Sequence, residues 1–350
     1  MKAMILAAGV GSRMHPLTRT LPKPLVPIVN RPVMEHIVAL LRKHGFTDII
    51  VNVHYLGDQI VEYFGDGSRF GVRITYSRED RLWGDAGSVK RCEDFFGNET
   101  FLVIGGDDLA DLDLTRFVEN HRQKKALASI ALSLVDDPAE YGIVLINEEG
   151  RITRFMEKPR GEVIFSNTAN TGVYAFEPEA LEMIPRGVFY LFGKTFFPQM
   201  LEQKRAIYGH LTASYWMDVG NLAMYQKVHL DALGGRVQID FPDPERQKYQ
   251  WVAQSAVIDP SAKIEYPVVI GEGCRVHGGA KVLENSVLGP GCSIAPGAVV
   301  RQSILWEDSH VQEDTRLERC VVGRGCHVKS NAAIFDGVIV DLSNVADNGV

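Results

Sequence analysis

The sequence predicts an α/β protein of two domains: a mostly parallel sheet with helices on both faces, then a parallel β-helix of hexapeptide repeats. Three observations predict this. The chain has 350 residues, well beyond the usual size of one domain. Its first two thirds alternate short apolar runs with stretches of helical period. From Val252 onward a six-residue period replaces both.

In chain order, "KAMILAA" reads as a buried strand. "RPVMEHIVALLRKHG" reads as a helix, with Pro32 in the first turn, Gly45 at the stop, and Val33, Ile37, Leu40 and Leu41 on one face. "DIIVNVH" follows as strand, "GDQIVEYFG" as helix, "VRITYS" as strand, "AGSVKRCEDFF" as helix and "TFLVIGGDD" as strand. "TRFVENHRQKK" is then helix and "ALASIALSLV" strand. This alternation predicts a Rossmann-like sheet, in which ligands sit beyond the carboxyl ends of the strands. The glycine-containing stretches after "MILAA" and "FLVI" both fall there.

"GGRVQIDFPDPERQKY" reads as a linker. Val252, Ile258, Ile264, Ile270, Val276, Val282, Leu288, Ile294 and Val300 are then aliphatic at a constant step of six. The register slips by one (Leu305, Val311, Leu317) and slips again (Val322, Val328, Ile334). Small residues follow four positions after most of them: Ala256, Ala262, Cys274, Ala280, Ser286, Cys292, Ala298, Ser309, Thr315, Cys326 and Ala332. One large and one small inward residue per side is the pattern of a triangular β-helix, whose stacked coils bury a continuous core. The expected domains are residues 1–233, a linker at 234–251, and the β-helix at 252–350.

Composition excludes several classes. The chain is 45% hydrophobic and 23% charged, with a net charge of −7 and no dense Lys/Arg cluster. That argues against a nucleic acid polymer as partner. No apolar run reaches a membrane span and no signal-peptide layout opens the chain, so a cytoplasmic protein is expected. Five cysteines with no C-x-x-C pair argue against a disulfide framework or a zinc site, and three of them occupy small inward slots.

The stretch "AAGVGSRMHPLTRTLPKPLVPI" carries the first chemistry. A dinucleotide fingerprint fails because Met14 holds the third glycine slot; the G-x-x-x-x-G-K-[ST] phosphate loop is also absent. There remains a glycine turn with Ser12, Arg13 and Lys23, suited to phosphate oxygens. Asp107 in "GGDDLAD" and Asp218 in "SYWMDVG" are carboxylates that, brought to one cleft, would hold Mg²⁺. "FMEKPRG" offers Glu157 and Lys158, and "NTGVYAF" offers Asn170.

Taken in order, "AAGVGSRMHPLT", "PKPLVP", "GDAG", "GGDDLAD", "YGIV", "EKP", "NTGVY" and "WMDVG" resemble the sugar-1-phosphate nucleotidyltransferase (nucleotide-sugar pyrophosphorylase) family. Within it the chain resembles the mannose-1-phosphate guanylyltransferase branch, whose β-helix is left-handed. The resemblance implies an Mg²⁺-dependent enzyme joining a nucleoside triphosphate, GTP by preference, to a sugar 1-phosphate, mannose 1-phosphate by preference. Thymidylyl, uridylyl or adenylyl transfer to glucose 1-phosphate is the alternative. It further implies that Ala8, Gly9, Gly11, Ser12, Arg13 and Lys23 cradle the nucleotide phosphates, with Arg13 on the departing pyrophosphate. Gly84, Asp85 and Gly87 would line the base pocket. Asp107 and Asp218 would bind Mg²⁺, and Gly142, Glu157, Lys158 and Asn170 would bind the sugar phosphate. Arg13, Lys23, Asp107 and Asp218 form the implied catalytic set. Ala8 and Asp85 depart from the family pattern, which has Gly and Thr or Ser there; a carboxylate at Asp85 would repel phosphate, bind a second metal or accept from a base.

Two rival readings come from other classes. A non-catalytic regulatory relative should lack the metal Asp or the loop Arg, and both are present. Acyl transfer by the β-helix would need a histidine base, but His277, His310 and His327 sit at ordinary repeat positions. The β-helix is instead expected to join copies into a homo-oligomer, with Trp306 as an exposed anchor.

Overall fold

A computed structural model of the chain describes residues 1–159, 161, 163–242 and 245–341. These residues divide into two compact units: Met1–Val10 with Ile37–Asp218, and Gly11–His36 with Val219–Val350. The glycine turn and Lys23 thus belong by contact to the unit that contains the repeats.

The strands of the first unit are β1 (Lys2–Leu6), β2 (Asp48–Val53), β3 (Arg73–Arg78), β4 (Phe101–Gly105), β5 (Asp108–Ala110), β6 (Ala128–Leu134), β7 (Gly142–Ile146), β8 (Ile152–Glu157), β9 (Thr168–Phe176), β10 (Ile207–Leu211) and β11 (Trp216–Asp218). Nine of them form one sheet in the order β8-β7-β9-β4-β1-β2-β3, with β6 between β9 and β10 off that path. β4, β1, β2 and β3 are parallel neighbours, with Ala3 opposite both Leu102 and Ile49. β9 runs antiparallel to β4, β6 and β7. The sheet is therefore mixed: its first half follows the β-α-β alternation, and its second half is joined by antiparallel returns.

Burial explains the strands. Ala3, Met4 and Ile5 are fully buried, as are Leu102, Val103 and Ile104, so continuous apolar runs serve the centre of a covered sheet. Helix α1 (Val33–Lys43) has Glu35 in its first turn and Arg42 and Lys43 in its last, matching the helix dipole. Helix α2 is Gly57–Phe64. The predicted "AGSVKRCEDFF" helix is two pieces, α3 (Asp85–Arg91) and α4 (Glu93–Phe96), broken at Cys92. Helix α5 (Leu114–Gln123) starts at Asp113, which accepts from the Arg116 N–H at 3.0 Å. A π-helical turn (Phe192–Phe196) leads into α6 (Phe197–Glu202). Its rings close the core: Phe192 stacks on Phe176 at 5.2 Å and on Phe197 at 5.5 Å.

In the second unit, three parallel sheets of seven, five and five strands make the β-helix, apart from one antiparallel edge strand, Glu245–Gln247. The predicted inward aliphatics and small residues form its core; Cys274, Ala280, Ser286, Cys292, Ala298, Ser309 and Thr315 are fully buried. All five cysteines are buried free thiols. The register slips have a structural cause. Val268 pairs with Ser286, eighteen residues on, but Ile304 pairs with Val321, seventeen on. The missing residue comes each time from one corner, turned by Gln302, Arg319 and Asp336 with φ of 49°, 52° and 53°.

One expectation fails here. Trp306 is not an exposed anchor: it is 6% exposed, and its indole N–H donates to the Tyr225 hydroxyl at 2.9 Å. Tyr225 lies on helix α7 (Leu222–Leu233) and in turn donates to the Pro27 carbonyl at 2.7 Å. Asn30 donates to the Leu288 carbonyl at 2.8 Å. The outward face beside Leu305 is thus covered by α7, which Tyr225 ties to Pro27.

Candidate active site

The site begins where β4 ends. Gly105 and Gly106 carry the chain past its carboxyl end to Asp107, and Asp108 opens β5. β5 pairs antiparallel with β11, placing Asp218 opposite Asp108. Carboxylate oxygens of Asp107, Asp108 and Asp218 all lie within 4.8 Å of one another. The glycines are required for this. A Cβ on Gly105 would stand 2.7 Å from Asp108 Oδ2, and one on Gly106 would stand 2.8 Å from the Leu6 carbonyl. Three hard oxygen donors at this spacing fit a small divalent cation. Asp108 was not read from the sequence; the Asp-Asp doublet was its only signal.

Asp107, Asp108 and Asp218 line a cavity of about 240 Å³ together with Asp85, Gly142, Glu157, Lys158, Asn170, Tyr174 and Trp216. Glu157 closes β8. Burial pushes its carboxyl above the usual value, against Lys158 and Lys194, which pull it down. Its carboxylate occupies space left by missing side chains: a Cβ on Gly142 would come within 2.8 Å of it, and one on Gly193 would collide with it. Lys158 has a left-handed backbone (φ 45°) just before Pro159, held by its N–H bond to the Tyr141 carbonyl at 3.0 Å. Such a conformation costs about 1–3 kcal/mol. Asn170 donates to the Tyr174 hydroxyl at 2.9 Å and accepts from the Gly172 N–H at 3.0 Å. The buried Trp216 indole N–H finds no acceptor among the described residues.

Gly84 and Gly87 serve close packing. A Cβ on Gly84 (φ 75°) would strike the Tyr190 carbonyl, and one on Gly87 would stand 2.9 Å from the Val188 carbonyl. Neither lines the cavity, whereas Asp85 between them does. Asp85 accepts from the Ala86 and Phe192 N–H groups, both at 2.7 Å. Desolvation, partly offset by these bonds and reinforced by Glu157, pushes its pKa up to about 6.

The glycine turn is built in the second unit from Gly11 on, while Ala8 is buried and Gly9 exposed in the first. Gly11 takes φ 69°, and its carbonyl accepts from the Thr18 hydroxyl at 2.8 Å. A Cβ on Gly11 would lie 3.0 Å from Lys23 Cβ, so turn and lysine are brought together as the sequence suggested. Lys23 is 7% exposed; Ser12 and Arg13 are exposed. Met14, in the failed third glycine slot, is a fully buried core residue.

Comparison with known proteins gives the same outline. A "Nucleotidyl transferase" family model matches residues 2–234, and an "EIF2B subunit epsilon LbH domain" model matches residues 247–350. The C-terminal fold is thus the left-handed parallel β-helix. A UTP–glucose-1-phosphate uridylyltransferase of Synechocystis sp. is 39% identical, with 99% of this chain and 95% of that protein aligned. A mannose-1-phosphate guanylyltransferase of Mycobacterium tuberculosis is 30% identical over 80% of this chain and 77% of its own length. Among solved structures, a putative glucose-1-phosphate thymidylyltransferase from Bacillus anthracis superposes with a TM-score of 0.60 at 29% identity, covering 69% of this chain and 97% of that one. No helix among the described residues is long and apolar enough to cross a membrane.

Proposed function

The chain belongs to the sugar-1-phosphate nucleotidyltransferase family, and we propose that within it the chain joins UTP to glucose 1-phosphate, releasing pyrophosphate. The near full-length identity of 39% to a uridylyltransferase favours this pair over GTP and mannose 1-phosphate, the sequence-level expectation, whose named relatives reach 28–31%. Guanylyl transfer to mannose 1-phosphate stands as the second reading.

The observation that carries the reading is convergence. Asp107 and Asp218, implied for the metal, and Gly142, Glu157, Lys158 and Asn170, implied for the sugar phosphate, line one cavity. The reaction needs no protein nucleophile. A phosphate oxygen of the sugar 1-phosphate attacks the α-phosphorus; that P–O bond forms as the bond to the β-phosphate oxygen breaks, and pyrophosphate leaves. The protein's task is positioning and charge stabilisation. Lys158 holds the sugar's phosphate, Glu157 and Asn170 orient its hydroxyls, and Arg13 and Lys23 bind the nucleotide phosphates, Arg13 meeting charge that grows on the leaving group. Asp107 and Asp218, with Asp108 beside them, would hold Mg²⁺, which would supply neutralisation at the α-phosphate.

The test is a pyrophosphate-release assay over four nucleoside triphosphates crossed with glucose 1-phosphate and mannose 1-phosphate. Highest kcat/KM with UTP and glucose 1-phosphate is expected; GTP with mannose 1-phosphate in first place would install the second reading. Association of copies through the β-helix is also proposed. It rests on the regular outer faces of the coils, without Trp306, and light scattering tests it.

A further inference from the structure

Asp85 has more carboxylate than its local structure uses. It opens α3, and its Oδ1 alone takes both backbone donors, Ala86 and Phe192, each at 2.7 Å. Both bonds from other residues thus end on Oδ1, and the carboxylate also lines the cavity with Glu157, Lys158 and Asn170. Holding these two backbone donors needs one acceptor oxygen, which Asn or Ser provides without charge. Here a charge is kept in a desolvated place beside a second carboxylate, at a standing cost in stability.

The two backbone bonds also hold the carboxylate in place. One of them ties Asp85 to the π-helical turn Phe192–Phe196, and Gly193 in that turn leaves the room that the Glu157 carboxylate fills. The same turn therefore positions both carboxylates at the wall of one cavity. In their ionised form two carboxylates are acceptors only, and they repel phosphate. A ligand group that satisfies them must donate, and a hexose presents a ring of hydroxyl donors.

Resting on the sugar 1-phosphate reading above, we propose that Asp85 is a specificity-determining residue of the sugar subsite, with Oδ2 accepting one hydroxyl of the sugar beside Glu157. Its place is then at the sugar and not at the base or the triphosphate. A site built to accept from a hydroxyl discriminates strongly against a sugar that lacks it.

The experiment compares the full-length protein with D85N in steady-state pyrophosphate release, using the preferred sugar 1-phosphate and its monodeoxy analogues. D85N keeps a side-chain oxygen for the backbone and replaces Oδ2 by an amide. Folding is checked by circular dichroism, and D85S stands in if D85N does not fold. The variant should raise the KM for the sugar 1-phosphate about 10- to 100-fold and leave the KM for the nucleotide within about twofold. One deoxy analogue should be strongly penalised with the native chain and not further penalised with D85N. A rise in nucleotide KM instead, or deoxy penalties unchanged in D85N, overturns the assignment while the transferase reading stands. A native chain that releases no pyrophosphate with any pair overturns the transferase reading and this role together.

Discussion

Replacing Tyr225 by Phe removes one oxygen from a fully buried ring and leaves the packing in place. That oxygen donates to the Pro27 carbonyl at 2.7 Å and accepts from the Trp306 indole at 2.9 Å. Burial holds the phenol far above its usual pKa, so it remains a donor throughout the working pH range. The two losses are unequal. The Pro27 carbonyl keeps the His229 Nε2 contact at 3.2 Å, whereas the Trp306 N–H is left buried without an acceptor. Two net bonds at about 1 kcal/mol each, plus about 1–2 kcal/mol for the stranded indole, give a loss of about 3–4 kcal/mol. At about 2–4 °C per kcal/mol this is a fall in Tm of roughly 6–16 °C. Differential scanning calorimetry of the native chain and Y225F measures it. A fall under about 2 °C would refute the reasoning, because it would mean that the indole finds water or another acceptor when the hydroxyl is gone.

Three further outcomes are expected. D107N and D218N should each lower kcat by about 10²-fold or more with unchanged thermal melts; near-native turnover in both would remove the two-carboxylate assignment. K158A should act chiefly on the KM for sugar 1-phosphate and R13A chiefly on kcat, since charge builds on pyrophosphate in the transition state; an R13A effect confined to sugar KM would exchange the roles. Burial lowers His36 to about 4, opposed by the Ile28 carbonyl and Asp240 and aided by Arg31, and lowers His229 to about 3, opposed by the Pro27 carbonyl and aided by His36. The unfolded chain binds these protons from about pH 6.5 downward and the folded chain does not, so stability should fall as pH drops from about 6.5 to 4, at ~1.4 kcal/mol per pH unit for each histidine. Urea midpoints that stay level over that range would show that the pair is not buried neutral.

What the sequence disclosed was whatever is written in local period. The inward residues of the repeats were legible because each side of the coil restates the same large-and-small alternation, and Met14 was legible as a misfit in a glycine slot. Long-range partners were not legible. The antiparallel returns of β6 to β9 follow from the order in which strands cross the sheet, and the apolar run in "ALASIALSLV" is the same for either direction. The sequence leaves Trp306 looking exposed because its cover, Tyr225, lies 81 residues away, and the anchor of Asp85, Phe192, lies 107 residues away. Asp107 and Asp218 are marked in the sequence by glycines at strand ends; Asp108 joins them only through the pairing of β11 with β5.

The shortened corner of the β-helix has a consequence for how this domain tolerates change in length. Losing a residue inside one of its short strands would turn every following side chain of that strand from inside to outside. Losing one at the corner only tightens a bend, and the next strand starts again in phase. Gln302, Arg319 and Asp336 mark the same corner in successive coils. Single-residue edits at that corner should therefore be silent, and the same edits two or three residues to either side should be ruinous. The coil is a text in which deletions are readable only at the end of a line.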